Sequence, residues 1–219
     1  MTNKPSRRYV SYGATLNKKR GSARDPERTR EALVKAAEKI VVEKGIEAMT
    51  LEEVAAAASV SKGGLLHHFP SKKALVLGIA QDMIRQYDLA IAGYQQKDPV
   101  APGAFTRAFL RANLECADES AQLCNALVSD MRAYSGPLDL FRQHSVHCQT
   151  RIENDGLDPA AASIVRYAGE GLMASAMWGM PRPTHYDEVI EALLAMATGD
   201  SQGSKQKKAS SANRTGKDS

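Results

Sequence analysis

The chain has 219 residues, of which 43% are hydrophobic, so it is long enough to bury one core or two smaller ones. No run of about 18 apolar residues marks a transmembrane helix, and the polar, basic N-terminus does not fit a signal peptide, so we expect a cytoplasmic protein. The net charge of +4 is uneven, because residues 1–24 hold seven basic groups and no acid, and residues 200–219 are also basic. Such ends either bind a polyanion such as DNA or only aid solubility.

Both ends of the chain have the composition of disordered segments. Residues 1–24 show no apolar period, and residues 199–219 consist largely of Ser, Lys, Gln and Gly. The three cysteines, Cys116, Cys124 and Cys148, lack paired close spacing, which indicates reduced thiols and argues against a zinc finger.

The first predicted helix begins at Asp25-Pro26-Glu27, which supplies an N-cap, a first-turn proline and a first-turn acid. Apolar residues then recur with helical spacing, and Gly45 follows as a C-terminal cap. The pattern predicts an amphipathic helix with one buried stripe.

Two short helices with a tight turn between them are predicted next. Thr50 and Glu53 form a capping box that opens a helix, and the turn at 58–60 leads to Ser61, a second N-cap. The second of these helices ends near Phe69, because Pro70 disfavours helical geometry in the residue before it.

Ser71 caps a longer helix that Pro99 and Pro102 interrupt, and helical stretches follow at about 103–118, 120–134, 138–154, 159–179 and 186–198. No strand pattern or internal repeat competes with this assignment. We therefore predict an all-α fold of about nine helices, with three in a small N-terminal unit and the rest in a larger bundle.

The segment 50–69 has the layout of a helix-turn-helix. Such a motif places its second helix in the DNA major groove, with the first helix braced on the backbone. Thr50 and Ser61 leave amides at two helix N-termini for phosphate, Gly63 and Gly64 allow close approach, and Lys62 and Lys72 add positive charge.

The motif residues resemble the tetracycline-repressor (TetR) family. The resemblance covers about residues 26–75 and is carried by Gly45, by Thr50-Leu51-Glu52-Glu53-Val54-Ala55, and by Val60-Ser61-Lys62-Gly63-Gly64-Leu65-Leu66-His67-His68-Phe69-Pro70-Ser71-Lys72. It implies a DNA-binding unit at 25–73 and a helical effector-binding and dimerisation domain at 74–198. Beyond residue 75 only the all-helical layout resembles the family.

Three positions depart from the family pattern. Ser59 stands where the family often has glycine, at a position that tends to need a left-handed backbone. Gly64 and Leu66 replace the common threonine and tyrosine, so a tyrosine contact with phosphate is absent and Leu66 either meets a thymine methyl or packs.

The function that the resemblance implies is that of a transcriptional regulator, typically a repressor released from a palindromic operator by a small-molecule effector, without a cofactor or catalysis. The expected partners are duplex DNA, the effector and a second copy of the chain. The small-residue segment 160–177 suits close helix packing in a dimer interface or within one subunit. The predicted DNA contacts are Arg28, Thr50, Ser61, Lys62, Gly63, Gly64, Leu66, His67 and Lys72.

Aromatic and sulfur-containing side chains of the bundle are candidates for the wall of an effector pocket. The candidates are Met83, Tyr87, Phe105, Phe109, Met131, Tyr134, Phe141, His144 and Trp178. His67 and His68 point about 100° apart on a helix, which disfavours a shared metal.

Two alternative functions stay open at this point. His144, His147 and Cys148 share a helical face by spacing, and they would serve a metal-binding protein or enzyme, although no fourth ligand is evident and we predict no metal site. A ligand-independent protein that coats DNA is the other alternative.

Overall fold

The computed structural model describes residues 25–119, 121–129 and 135–199. The expectations for residues 1–24 and 200–219, and for Met131 and Tyr134 as pocket residues, lie outside these ranges. Within them the chain forms nine helices and no strand, which confirms the predicted all-α fold. No helix in the described part is long and apolar enough to cross a membrane.

The helices follow one another with short connections. They are α1 (Pro26–Ala48), α2 (Leu51–Ala57), α3 (Lys62–His68), α4 (Lys72–Lys97), α5 (Ala104–Glu119), α6 (Ala121–Ser129), α7 (Ser135–Glu153), α8 (Pro159–Met177) and α9 (Tyr186–Met196). Gly45 was predicted to cap the end of α1. Its φ of 80° breaks the helical geometry there, but α1 continues beyond it to Ala48. The predicted break at Gly136 and Pro137 falls inside the first turn of α7, where proline is well tolerated.

The predicted N-caps are confirmed by hydrogen bonds. The Asp25 carboxylate accepts from the Glu27 amide at 3.1 Å, and the Ser71 hydroxyl oxygen accepts from the Ala74 amide at 3.1 Å. Asp158 caps α8 in the same way, through the Ala161 amide. Each cap satisfies an amide that the helix itself leaves without a partner.

A first hydrophobic core joins α1 to α4. Its largest fully buried members include Leu33, Ile46, Leu65, Leu75 and Ile79. Helix α6 also reaches this core, through Leu127 with Leu123 and Ala126 beside it. The small N-terminal unit is therefore packed against a helix of the C-terminal bundle.

A second core lies in the C-terminal bundle. It is built on the last turns of α4 and on α5, α7, α8 and α9, with Ile91, Phe109, Leu110, Ile152 and Val165 among its members. Helix α4 is 26 residues long and contributes to both cores. It is the structural link between them.

Candidate DNA-binding surface and effector cavity

Helix α2 begins at the capping box that the sequence predicts. The Thr50 hydroxyl oxygen accepts from the Glu53 amide at 3.3 Å, and the Glu53 carboxylate accepts from the Thr50 amide at 3.1 Å. Lys44 at the end of α1 donates to the other Glu53 oxygen at 2.5 Å. The bonds from Lys44 and Thr50 lower the pKa of the Glu53 carboxyl to about 2.

The turn between α2 and α3 has the left-handed residue that the family pattern suggests. Ser59 has φ 55°, and the Val60 amide donates to the Ala55 carbonyl at 2.9 Å to close the turn. A non-glycine residue in this conformation costs about 1 kcal/mol.

Helix α3 is held at both ends. The Ser61 hydroxyl oxygen accepts from the Gly64 amide at 3.1 Å, and Leu65 is fully buried in the first core. The Phe69 ring lies against Gly78 of α4, where an added Cβ would stand 2.5 Å from Cε1, and the Arg30 guanidinium covers the ring at 5.2 Å from its centroid. The α3 orientation is thus set by contacts with α1 and α4.

The outer face of α3 exposes most of the side chains predicted to contact DNA. Ser61, Lys62, Gly63, Leu66 and His67 are exposed, whereas Gly64 and His68 are half-buried. Gly63 has nothing within 4 Å of an added Cβ, so this part of the face is open to an incoming duplex.

The remaining predicted DNA contacts lie at or beside the N-termini of α1, α2, α3 and α4, and the two lysines have partners within the protein. Arg28 is exposed in the first turn of α1, and Thr50 is exposed at its cap. Lys62 is paired with Glu52 at 2.6 Å, and Lys72 donates to the Glu47 carbonyl at 2.8 Å. Lys62 and Lys72 therefore each have one partner within the protein, and a phosphate would compete with that partner for the ammonium group. The sequence did not reveal these two contacts.

An ion-pair group links α1 to α4 above the first core. The Lys35 ammonium lies 3.2 Å from one Asp82 oxygen and 2.8 Å from Glu38, and Arg85 lies 2.5 Å from the other Asp82 oxygen. Burial acts to raise the pKa of Asp82, but the bonds from Arg85 and Lys35 outweigh it and hold the pKa below its usual value. Asp82 is buried and ionised between the two helices.

A cavity of about 1340 Å³ opens between α1 and helices α4 to α8. Met83, Tyr87, Phe109, Phe141 and His144 line it, as the sequence predicts. Five residues of α1 also line it, from Lys35 to Glu43, so the DNA-binding unit forms part of the wall.

Two predicted pocket residues lie elsewhere. Phe105 is buried in the second core, packed on Phe109 and covered by the Arg151 guanidinium at 3.8 Å from its centroid. Trp178 follows the last residue of α8 and is 70% exposed. Both differ from the prediction because composition does not indicate which side of a helix faces the cavity.

His144 contacts two candidate metal ligands, and His147 does not join them. The His144 ring nitrogen Nε2 lies 2.9 Å from an Asp88 oxygen, and the Cys148 Sγ lies 3.7 and 3.8 Å from the two ring nitrogens. His147 is exposed. Among the described residues, no group of three or more His, Cys, Asp or Glu side chains is placed to hold a metal ion.

All three cysteines line the cavity, on α5, α6 and α7. Burial raises the pKa of Cys124 to about 11, and burial together with the Asp88 charge raises that of Cys148 to about 11. Since a nucleophilic cysteine needs a depressed pKa, these two thiols act as uncharged, polarisable wall groups.

Asn113 of α5 is a cavity residue that the sequence analysis missed. It is 1% exposed, it lines the cavity, and its Nδ2 donates to no residue in the described part of the chain. Asn113 follows Phe109 by four residues and precedes Cys116 by three, so the three share one helical face. This spacing could have identified Asn113 as a cavity residue.

Comparison with protein families gives two matches, which together cover about two thirds of the chain. Residues 33–79 match the model "Bacterial regulatory proteins, tetR family", and residues 103–198 match the model "Tetracyclin repressor-like, C-terminal domain". No curated protein matches the chain.

Similar solved structures show the same fold at low sequence identity. A transcriptional regulator from Pseudomonas aeruginosa PAO1 is 17% identical with a TM-score of 0.64, over 80% of this chain and 93% of that one. A TetR-family regulator from Mesorhizobium loti is 20% identical with a TM-score of 0.59, over 80% and 98%. The multidrug binding protein EbrR, complexed with imidazole, is 20% identical with a TM-score of 0.57, over 78% and 90%.

The two family models match the two parts of the structure. The N-terminal model covers the helix-turn-helix, and the C-terminal model covers most of the helical bundle that contains the cavity. Proteins with this combination are DNA-binding regulators of transcription with a C-terminal ligand-binding domain. The chain belongs to the TetR family of transcriptional regulators.

Proposed function

We propose that this regulator is a homodimeric repressor that binds a two-fold symmetric operator and leaves it when a small molecule enters the cavity. The observation that carries the proposal is the helix pair α2 and α3, in which both N-termini are capped and the outer face of α3 is exposed. Two such helices in successive major grooves would lie about 34–36 Å apart.

The proposed DNA contacts divide by chemistry. Ser61, Gly63, Gly64, Leu66 and His67 lie on or beside the outer face of α3, where base edges and the adjoining backbone would meet them. We propose that phosphates are bound by exposed or half-exposed groups outside this face, which are Arg28, Thr50, Lys62 and Lys72.

Exposed apolar side chains on α8 and directly after it support the proposed dimer. Ile164, Tyr167 and Trp178 are 52%, 63% and 70% exposed and follow one helical face. The small residues of α8 that are buried, such as Ala161 and Ala162, pack inside the subunit. We propose that the exposed face of α8, together with α9, meets its counterpart across a two-fold axis.

The coupling between effector and DNA is proposed to run through α1 and α4. Both helices line the cavity, both carry the first core, and the Lys35–Asp82 pair joins them. An effector that binds better to one arrangement of these helices would change the spacing of the two α3 helices and release the DNA.

The test uses a substitution that should leave the fold intact and block the approach of DNA. Gly63→Leu adds bulk where the protein has nothing within 4 Å, and Ala92→Leu adds similar bulk on an exposed position of α4. Fluorescence anisotropy with a selected duplex should show at least about tenfold weaker binding for Gly63→Leu, the size of one lost base contact, and no change for Ala92→Leu.

If wild type and Gly63→Leu bind the duplex with equal affinity and have the same thermal unfolding midpoint, the proposal that α3 contacts DNA is wrong.

A further inference from the structure

Asn113 gives the cavity wall a buried, uncharged polar side chain one helical turn after Phe109 on α5. We propose, on the basis of the function proposed above, that the effector is an uncharged aromatic molecule whose oxygen acceptor receives a hydrogen bond from the Asn113 side-chain amide.

The Asn113 amide is a buried hydrogen-bond donor without a partner in the described chain. Its Nδ2 is buried and donates to no residue of the described chain. A buried donor without a partner costs about 1–3 kcal/mol, and native proteins rarely keep one without a reason. Asn113 also lines the cavity, so rotation of the amide about the Cβ–Cγ bond would turn its NH₂ group towards a ligand acceptor there, and the new hydrogen bond would recover this cost.

Helix α8 packs against the α5 turn that carries Asn113. A Cβ added to Gly169 of α8 would lie 3.5 Å from Asn113 Nδ2 and 3.0 Å from Leu110 Cδ1, so α8 passes close to α5 at this point. The close approach of α8 closes one side of the Asn113 side chain, so an acceptor would reach the amide from the cavity side.

Aromatic side chains of α4, α5 and α7 form part of the cavity wall. Tyr87 makes edge-to-face contacts with Phe109 at 5.9 Å and with His144 at 5.7 Å between ring centroids. All three rings line the cavity, and Phe109 lies one turn before Asn113 on α5. Ring faces and edges in this arrangement fit a flat aromatic ligand.

The charged groups of the cavity wall are balanced in sign. The wall carboxylates Glu38 and Glu170 are already paired with Lys35 and Arg166, at 2.8 and 3.0 Å. The raised pKa values of Cys124 and Cys148 keep both thiols neutral. The other charged wall residues are two lysines, Lys39 and Lys97, and two glutamates, Glu43 and Glu115. The wall thus offers no excess of either sign, which favours an uncharged ligand.

The experiment compares two probes of the same shape, fluorenone and fluorene, which differ by one carbonyl oxygen. Their dissociation constants are measured by equilibrium dialysis with the full chain, free of DNA. The variants are Asn113→Leu and the control Asn154→Leu, since Asn154 is exposed at the end of α7 and does not line the cavity. The cation 10-methylacridinium and the anion fluorene-9-carboxylate complete the set.

We expect Asn113→Leu to weaken fluorenone binding about tenfold, the effect of one hydrogen bond of roughly 1.4 kcal/mol, and to leave fluorene binding unchanged or tighter. Asn154→Leu should change neither. Equal effects on both neutral probes, tighter binding of either charged probe, or no binding of any probe would overturn the proposal.

A second measurement does not depend on how the variant folds. In wild-type protein, the ¹⁵N side-chain resonance of Asn113 should shift on addition of fluorenone and stay in place with fluorene. Identical responses to the two probes would contradict the proposal. Because both measurements use DNA-free protein, a failure of operator binding is seen separately and bears only on the proposed regulator.

Discussion

Glu53 links the start of α2 to the end of α1, and its ionisation is part of the link. Its carboxylate accepts from Lys44 and from the Thr50 amide, which lowers its pKa to about 2. A group whose pKa is lowered on folding adds stability above its ordinary pKa and loses it as the pH falls through the folded value.

Glu53→Gln should therefore lower the thermal unfolding midpoint at pH 6, and its difference from wild type should shrink as the pH falls from about 4.5 towards 2. Glu47→Gln, at an exposed position of α1, is the control and should show no such trend. A Glu53→Gln difference that stays constant over this pH range would show that the ionised carboxylate does not stabilise the fold.

At the scale of single residues, the sequence predicts well what depends on neighbours in the chain. The caps at Asp25, Thr50, Ser61 and Ser71 were predictable because each acts on an amide two or three residues away. The Asn113 amide and the Lys62–Glu52 pair were not, because they depend on which faces of separate helices meet.

At the scale of elements, one contact fixes α3 against α4. Gly78 leaves the space that the Phe69 ring fills, and a Cβ there would stand 2.5 Å from Cε1 and 3.1 Å from Cζ of that ring. The ring is otherwise enclosed, with 3% of its residue surface exposed, so it has little freedom to move aside.

Gly78→Ala should destabilise the protein by about 1–3 kcal/mol, as overpacking of a core does. Gly93→Ala is a matched control on the same helix, because nothing lies within 4 Å of its added Cβ, and it should stabilise by up to about 1 kcal/mol through helix propensity. Urea denaturation measures both. A Gly78→Ala variant as stable as Gly93→Ala would contradict the close packing of Phe69 on α4.

Helix periodicity predicted the number and order of the elements, and it did not predict how they assemble. Packing of α6 on α1, through Leu127 and its neighbours, has no counterpart in the local pattern. The same limit explains Phe105 and Trp178, which have the composition of pocket residues and lie outside the cavity wall. Contacts between distant helices decide such cases.

At the scale of the whole molecule, the exposed face of α8 predicts self-association. Tyr167→Asp places a charge in the middle of the apolar face and should shift the protein from dimer to monomer, with little change in helix content, because Tyr167 is 63% exposed in the single chain. Sedimentation velocity and circular dichroism measure the two effects.

Val100→Asp is the control, since Val100 is 66% exposed in the connection between α4 and α5, away from the α8 face. It should remain dimeric. A Tyr167→Asp variant that still sediments as a dimer would place the interface elsewhere on the molecule.

Selection of duplexes from a random pool by the purified 219-residue chain tests whether two copies of the chain bind a symmetric operator through α3. We expect enrichment of one inverted repeat whose half-sites lie about one helical turn, or a multiple of it, apart. Enrichment of no sequence, as expected of a protein that coats DNA, or of a single asymmetric site would contradict it.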